Sequence, residues 1–399
     1  MRAGAMYGYW WLIAGLLFGF PCQAAVVKVT AEYKPAVYEA DNGTFVSTTK
    51  CVKTSEGMWL SSCSGGVMSL DSLLFSLKTK VKRNVKRDFS NTRDSFVSLG
   101  SLGNKTMIIT SDKGQQFSVL FKPDKLGVHF DSVVNPNDGW KIYNTAFTNP
   151  KGGCRYLERE VAGYINLTSW IVLWGDVGGK SCYIGLSVDG TSDIQAMFFG
   201  FKITPPSPLK MLNGIYTGSI ILSVGQNKDI DLGNGVYEDN QLIIELTLKV
   251  QHQIKVEFPP GGDKVVLQPP GGWHDWIYRG KARIPPYLIA ELPYRLWSSS
   301  DFNVWLNCQY AIGEVCMLNN ERLGMQVRLD VIYVNKSKEE IPLKHGVKKL
   351  FSASLRGPYF INEERSIIFK VQEPVLALMM EYPGSTYKGN VTLIYDAAI

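Results

Sequence analysis

The chain has 399 residues, 42 Lys and Arg against 36 Asp and Glu, a formal net charge of +6 and 45% hydrophobic residues. That length allows two or three domains with real cores. The small positive excess suits acidic glycans or membrane surfaces but excludes neither in favour of the other.

Residues 1–24 read as a signal peptide. Arg2 is their lone charge, Tyr9–Phe20 is an apolar run, Pro21 ends it, and Cys22-Gln23-Ala24 offers small residues for cleavage after Ala24. The run is shorter than the ~20 residues of a spanning helix, so a soluble, exported mature chain is expected. Loss of Arg2 lowers the net charge from +6 to +5.

With 38 Gly and 19 Pro punctuating short alternating segments, the expected fold class is all-β. Strands are expected at Val26–Tyr38, Phe117–Phe121, Trp170–Trp174, Gln195–Ile203 and Ile215–Val224. Ser69–Arg87 carries Leu70, Leu73, Leu74, Leu77, Val81 and Val85 at helical spacing, and fits a helix or a strand hairpin with one basic face. Lys78, Lys80, Lys82, Arg83, Lys86 and Arg87 gather there, either as a solvated face or as a site for an acidic ligand.

Without Cys22, six cysteines remain, an even number that suits disulfides in an oxidising compartment. Six allow fifteen connectivities. Spacing favours the nearest neighbours Cys51–Cys63, Cys154–Cys182 and Cys308–Cys316, each closing a loop of a size usually worth ~2–4 kcal/mol. A zinc site is not expected, because there is no CxxC and His129, His252, His274 and His345 are scattered. No other cofactor is expected either, since Walker A and GxGxxG are absent.

Gln241–Pro260 organises the chain. Leu242, Ile244, Leu246, Leu248 and Val250 share one parity, which resumes after His252 with Ile254, Val256 and Phe258. One strand of that length would run to roughly 50 Å, far beyond the usual ~17–20 Å. It must break, and Gln251-His252-Gln253, with neither an apolar anchor nor a turn residue, places a domain boundary at the break. Beyond it, Pro259-Pro260-Gly261-Gly262 recurs as Pro269-Pro270-Gly271-Gly272, leaving Lys264–Leu267 as a short strand.

Trp273-His274-Asp275-Trp276 is the most enzyme-like cluster, with a His beside an Asp. It lacks a nucleophile elbow, since Gly185-Leu186-Ser187-Val188-Asp189 misses the second glycine. A tryptophan loop for packing or ligand stacking is the plainer reading, and no nucleic-acid-binding motif is present. Asn42, Asn104, Asn166, Asn335 and Asn390 each open a glycosylation acceptor triplet, relevant only in a eukaryotic host. The chain closes on a strand with Val391, Leu393 and Tyr395 inward. A sandwich ending this way can leave an edge and an apolar groove open to a strand from another chain.

The Cys51–Cys63 loop, LNGIYTGSIILSV at 212–224, LTLKVQHQIKVEFPP at 246–260, Leu267-Gln268-Pro269 and the ending Tyr387-Lys388-Gly389-Asn390-Val391 together resemble the CblD-like pilus-biogenesis initiators. These are the minor tip subunits of alternate-chaperone (class 5) fimbriae in Gram-negative bacteria. The resemblance covers most of the chain in order and is strongest from Leu212 onward. It implies two tandem immunoglobulin-like β-sandwiches: an N-terminal adhesin domain, residues 25–249, and a C-terminal pilin domain, residues 253–399, joined by a linker at 250–252. It also implies that the pilin domain lacks its last strand. A periplasmic chaperone fills the gap, and at an outer-membrane usher the major pilin's N-terminal donor strand replaces it, leaving the chain at the extracellular fimbrial tip. The implied receptor is a host-cell glycan or glycoprotein.

Two departures bear on this. Where family adhesins carry receptor-binding arginines, this chain has Val46 and Gln226-Asn227, with Lys228 the nearest cation, so sialylated-receptor binding does not carry over. In related pilin domains the first cysteine pairs far downstream, whereas Cys308 has only Cys316 after it. The receptor-binding candidates are therefore Gln226, Asn227 and Lys228 together with Lys82, Arg83, Lys86 and Arg87. The competing functions are a secreted carbohydrate-binding or carbohydrate-active protein using Trp273–Trp276, and a tip subunit that nucleates assembly without a receptor.

Overall fold

The computed structural model describes residues 24–36, 38, 43–51, 63–85, 91–98, 102–133, 149–164, 167–184, 189–262, 264–279, 284–352 and 359–397. The expected signal segment falls outside them, apart from Ala24. Among the described residues no helix is long and apolar enough to cross a membrane.

The chain is almost entirely β. Its first unit is one curled sheet whose main strands are β1 (Ala24–Tyr33), β2 (Leu73–Lys82), β3 (Lys105–Ser111), β4 (Gln116–Val133), β5 (Arg155–Tyr164), β6 (Leu167–Gly175), β7 (Gly190–Thr204), β8 (Gly214–Ser223) and β9 (Gln241–Val250). They lie in the order β2-β7-β4-β3-β8-β9-β1, and the β5-β6 hairpin joins through β6 to β4. β4 serves two neighbours in turn: its first part, to Phe121, pairs with β3 and its second, from Lys125, with β6. Pro123 lies between the two, where its missing N–H interrupts the ladder and lets the strand bend.

β9 lies inside the sheet, paired along all ten residues with parallel β1 and with antiparallel β8. Its alternation puts Leu242, Ile244, Leu246 and Leu248 at 0% exposure in the core, packed with Val27, Val29, Tyr216 and Leu222. The ladder stops at Val250 and β10 (Ile254–Glu257) begins a different sheet, so the chain breaks at the polar triplet 251–253.

The second unit is a two-sheet sandwich. One sheet runs β10-β11-β16-β14-β13, with β11 Tyr287–Ser298, β13 Val315–Asn320, β14 Met325–Val334 and β16 Phe360–Gln372. The other is β15-β12-β17, with β12 Phe302–Cys308, β15 Lys349–Phe351 and β17 Val391–Ala397. Between them lie Leu296, Phe302, Val304, Leu306, Ile367 and Val371. In chain order β10, β11, β16 and β14 take the places of strands A, B, E and D of an immunoglobulin-type sandwich, and β12 and β17 those of C and F. Among the described residues, strand G, which would flank β17, has no counterpart.

One open local reading is decided and two local expectations are corrected. Of the two readings for Ser69–Arg87, the strand is found, as β2. Its start is covered on both faces, with Leu73 and Phe75 in the main core and Leu74 in a small second cluster with Ile171, Leu173 and Phe198, and this hides the period of two. Trp273-His274-Asp275-Trp276 is not a loop but the first part of helix α1 (Gly272–Arg279). Lys264–Leu267 forms no ladder; the first pairing after it is Gln268 with Ile289. A second helix, α2 (Val375–Met380), precedes β17.

Cys154–Cys182 and Cys308–Cys316 are bonded, with Cα atoms 5.9 and 5.6 Å apart. Cys51 is also disulfide-bonded; the side chain of Cys63 lies outside the described residues.

Since each unit has its own core, Leu246→Ala is expected to cost ~2–5 kcal/mol in the first unit only. Differential scanning calorimetry should show one transition lowered and the other unchanged.

Candidate functional site

The sandwich rim is where the fold stays open. β17 pairs with β12 from Val391 opposite Cys308 to Ala397 opposite Phe302, and among the described residues no strand pairs with its other side. Val391, Leu393 and Tyr395 face inward, only partly buried against the core. β10 is the edge of the facing sheet, pairs only with β11, and comes into contact with β17. A strand edge with an apolar row beneath it therefore lies between the two.

A cavity of about 450 Å³ opens where Phe258 and Pro259 leave β10, its lining including Glu257, Tyr294, Arg295 and Arg365. The Tyr294 ring packs against Phe258 at 5.3 Å and against Tyr395 at 5.9 Å between centroids. Tyr294, Tyr333, Tyr395 and Arg365 make a polar layer at this end of the sandwich. Burial pushes all three phenols up, and the neighbouring tyrosines add to this for Tyr294, while Arg365 pulls Tyr333 back only in part. All three keep their protons at neutral pH and remain donors. Sequence reasoning named Tyr395 but missed Tyr294, Tyr333 and Arg365.

In the first unit the candidate receptor residues converge on the loop between β8 and β9. Gln226, Asn227 and Lys228 are exposed on its tip, and Lys82, also exposed, pairs at the end of β2 with Val236 of the same loop. Arg83 is different: it is buried and its Nη1 donates to the Leu232 carbonyl at 2.6 Å, so it holds the loop from within. Lys86 and Arg87 lie outside the described residues.

The loop is built around two carboxylates that sequence reasoning did not single out. Buried Asp231 accepts two bonds from Arg93 Nη2, at 2.8 and 2.9 Å, one from the Asn227 N–H at 2.7 Å and one from the Gly233 N–H at 3.0 Å. Asp229 accepts from the N–H and hydroxyl of Ser223 and from Lys105 Nζ at 3.0 Å. Burial opposes the charge of Asp229, but these donors outweigh it and hold its carboxyl below the ordinary 3.8.

His252 pins the joint between the units. Its Nε2 donates to the Met211 carbonyl at 2.7 Å, its Nδ1 lies 3.1 Å from Ser299 Oγ, and its backbone N–H donates to Asn213 Oδ1 at 2.6 Å. The acceptor at Nε2 fixes the proton there. Tyr33 packs edge-on to the ring at 5.4 Å, and across the joint the Tyr38 hydroxyl donates to Glu257 at 2.7 Å.

The enzyme-like cluster of the sequence lies on α1. His274 and Asp275 are exposed on α1, 3.5 Å apart, and the His274 ring packs 4.9 Å from Tyr278. His129 Nε2 lies 2.5 Å from Ser169 Oγ and 3.7 Å from Asp131. Among the described residues no three His, Cys, Asp or Glu side chains are grouped to hold a metal.

No protein-family model and no curated protein matches the chain. Among solved structures it is similar to a chain of a chaperone–tip adhesin complex of CFA/I fimbriae biogenesis, at 9% identity and TM-score 0.27, covering 94% of this chain and 97% of that one. It is similar also to a chain of the CsuC–CsuE chaperone–tip adhesion subunit pre-assembly complex of Acinetobacter baumannii, at 11% identity and TM-score 0.26, covering 94% and 98%. A third is the CupB6 tip adhesin of Pseudomonas aeruginosa, at 10% identity and TM-score 0.26, covering 81% and 94%. Likeness at that level decides nothing about function.

Burial holds the His252 imidazole below its ordinary 6.5, although its bonds to Met211 and Ser299 favour the charged form. The unfolded chain takes up a proton at about pH 6.5 that the folded chain refuses. The contribution of neutral His252 is thus complete above pH 6.5 and declines as pH falls toward the folded-state value. In urea titrations, His252→Gln is expected to destabilise more at pH 7.5 than at pH 5.

A second expectation concerns the loop. Asp231→Ala removes the acceptor for Arg93, Asn227 and Gly233 and should cost ~2–4 kcal/mol, with proteolytic nicking rising within residues 225–235.

Proposed function

We propose that the chain is the tip subunit of a chaperone–usher fimbria, which starts the fibre and carries its adhesin. The observation that carries this reading is the seven-residue β17, paired on one side only among the described residues and backed by Val391, Leu393 and Tyr395. An unpaired edge over a partly filled apolar groove is an acceptor for an added strand. On this reading a periplasmic chaperone supplies the strand first, and at the outer-membrane usher the N-terminal extension of the major pilin replaces it. The chain is exported through the periplasm and ends outside the cell. No subunit precedes it, which leaves the first unit free to meet a host-cell glycan or glycoprotein. The exposed turn Gln226-Asn227-Lys228 with Lys82 supports placing that contact at the far end of the first unit, and the sequence resemblance to the CblD-like initiators supports the same assignment.

The test is thermal melting of the mature chain with and without a C-terminal fusion of the major pilin's N-terminal segment. A strand that buries three aliphatic side chains and pairs the edge should add several kcal/mol and raise the Tm of the second unit by about 10 °C or more. An unextended chain that is monomeric and melts at the same temperature would remove the strand-addition reading. A Lys82→Glu, Lys228→Glu double variant is expected to keep fibre assembly and lose cell binding; wild-type fibres that bind no cells would make the chain a nucleator only.

A further inference from the structure

The open sandwich contains a buried cation with incomplete partners. Arg365 follows the inward parity of β16 with Ile367, Phe369 and Val371 and is only 8% exposed. It forms an ion pair with Glu363 and its Cζ lies 5.8 Å from the centre of the Phe360 ring. Its Nε and Nη1, and the hydroxyls of Tyr294 and Tyr395, are buried without a well-formed hydrogen bond among the described residues, with Tyr333 beside both Arg365 and Tyr294, and Tyr294 beside Tyr395, as uncharged neighbours. Arg365 and Tyr294 also line the cavity where β10 ends. Native proteins rarely leave several buried donors unmet at one place.

The chemistry of these groups names what is missing. A guanidinium offers five N–H donors and no acceptor, and the three protonated phenols can accept as well as donate but carry no charge. Glu363 is the one carboxylate paired with Arg365. Beyond Glu363 and the neutral phenol oxygens, the guanidinium can still take a charged acceptor, and a planar carboxylate matches its fork best.

We propose that Arg365, Tyr294 and Tyr395 form a subsite for a carboxylate, carried by an Asp or Glu side chain on the strand that completes the sandwich. This deepens the strand-addition reading above and rests on it. The charges at the mouth favour a strand over a free anion. Glu257, Glu291 and Glu364 line the cavity beside Arg295 and Lys338; Glu257 is held by Lys255 and Tyr38, and Glu364 by Arg295. A small multivalent anion would meet this near-neutral rim with nothing to hold it, whereas one carboxylate on a strand is anchored by the ladder along β17. Arg365 then selects among donor strands by a single inward acidic residue.

The experiment uses fusions of the mature chain to a C-terminal strand of alternating Val and Thr. Glu replaces Val at each inward position in turn, with Leu in the control at that position. One Glu fusion is expected to melt about 4 °C or more above its Leu control at pH 7, and to lose that advantage below about pH 4, where the carboxylate is protonated. Arg365→Met should abolish the advantage at the same position; the pH comparison decides the matter without a variant if Arg365→Met does not fold. Fusions that all stabilise the chain, with Leu equal to or better than Glu throughout, would overturn the carboxylate subsite and leave strand addition standing. Fusions that never melt above the unextended chain would overturn both.

Discussion

Backbone N–H and C=O groups on a strand must be paired, and in β17 only one of the two rows is paired among the described residues. The rest of the second unit is arranged around that edge. The facing sheet ends in four-residue β10, too short to close the rim, and the inward row of β17 is left half-covered. The first unit manages its edges differently. Along its main path the sheet ends in the two-residue strands Val46–Ser47 and Val236–Tyr237, exposed Lys28 stands on the stretch of β1 they leave bare, and the side branch ends in ten-residue β5, paired only with β6 among the described residues. Short ends and charges are how stable sheets avoid templating another strand.

The two units are joined without a flexible tether. β1 and β9 run parallel over ten residues and end together, Tyr33 opposite Val250. Both strands deliver aromatic or polar groups straight to the joint: the Tyr33 ring to His252, and the Gln251 N–H to the Tyr33 carbonyl at 2.9 Å. On the other side, Ser299 exchanges backbone and hydroxyl bonds with Gln253, and Tyr38 packs edge-on to Trp297 at 5.3 Å. Pull along the chain at 251–253 acts along the axis of β9, against two ten-residue ladders loaded side by side.

How much of this was legible depended on whether parity was exposed. Along Gln241–Pro260 it was, because one face of β9 is core and the other open; the strand end at Val250 and the inward row of β17 could be read from the residues. At Leu73-Leu74-Phe75 both faces are covered, and the row of apolar residues mimicked helical spacing. Arg83 and Arg365 were hidden for another reason. Each sits in a charged run, where residue type suggests a solvated face, yet each continues the inward parity of its strand, Arg83 after Leu77, Thr79 and Val81, and Arg365 before Ile367 and Phe369. Parity outweighs residue type when a buried cation has a partner to reach. The helix over Trp273–Trp276 also left a trace, since Trp273 and Ile277, and His274 and Tyr278, lie four apart; the flanking Pro-Gly pairs masked it. Asp231 was missed because Arg93 meets it only through a tertiary contact, and its local bonds from Asn227 and Gly233 lie in an irregular loop with no periodic pattern.

Hydrogen–deuterium exchange along Val391–Ala397 tests the central claim most directly, comparing the isolated mature chain with the same chain carrying a bound strand. Alternate amides of β17, those facing away from β12, should exchange close to the unprotected rate in the isolated chain and become protected once the strand is bound. Full protection of every β17 amide in the isolated monomer would mean that the sandwich is already closed, and would contradict the account.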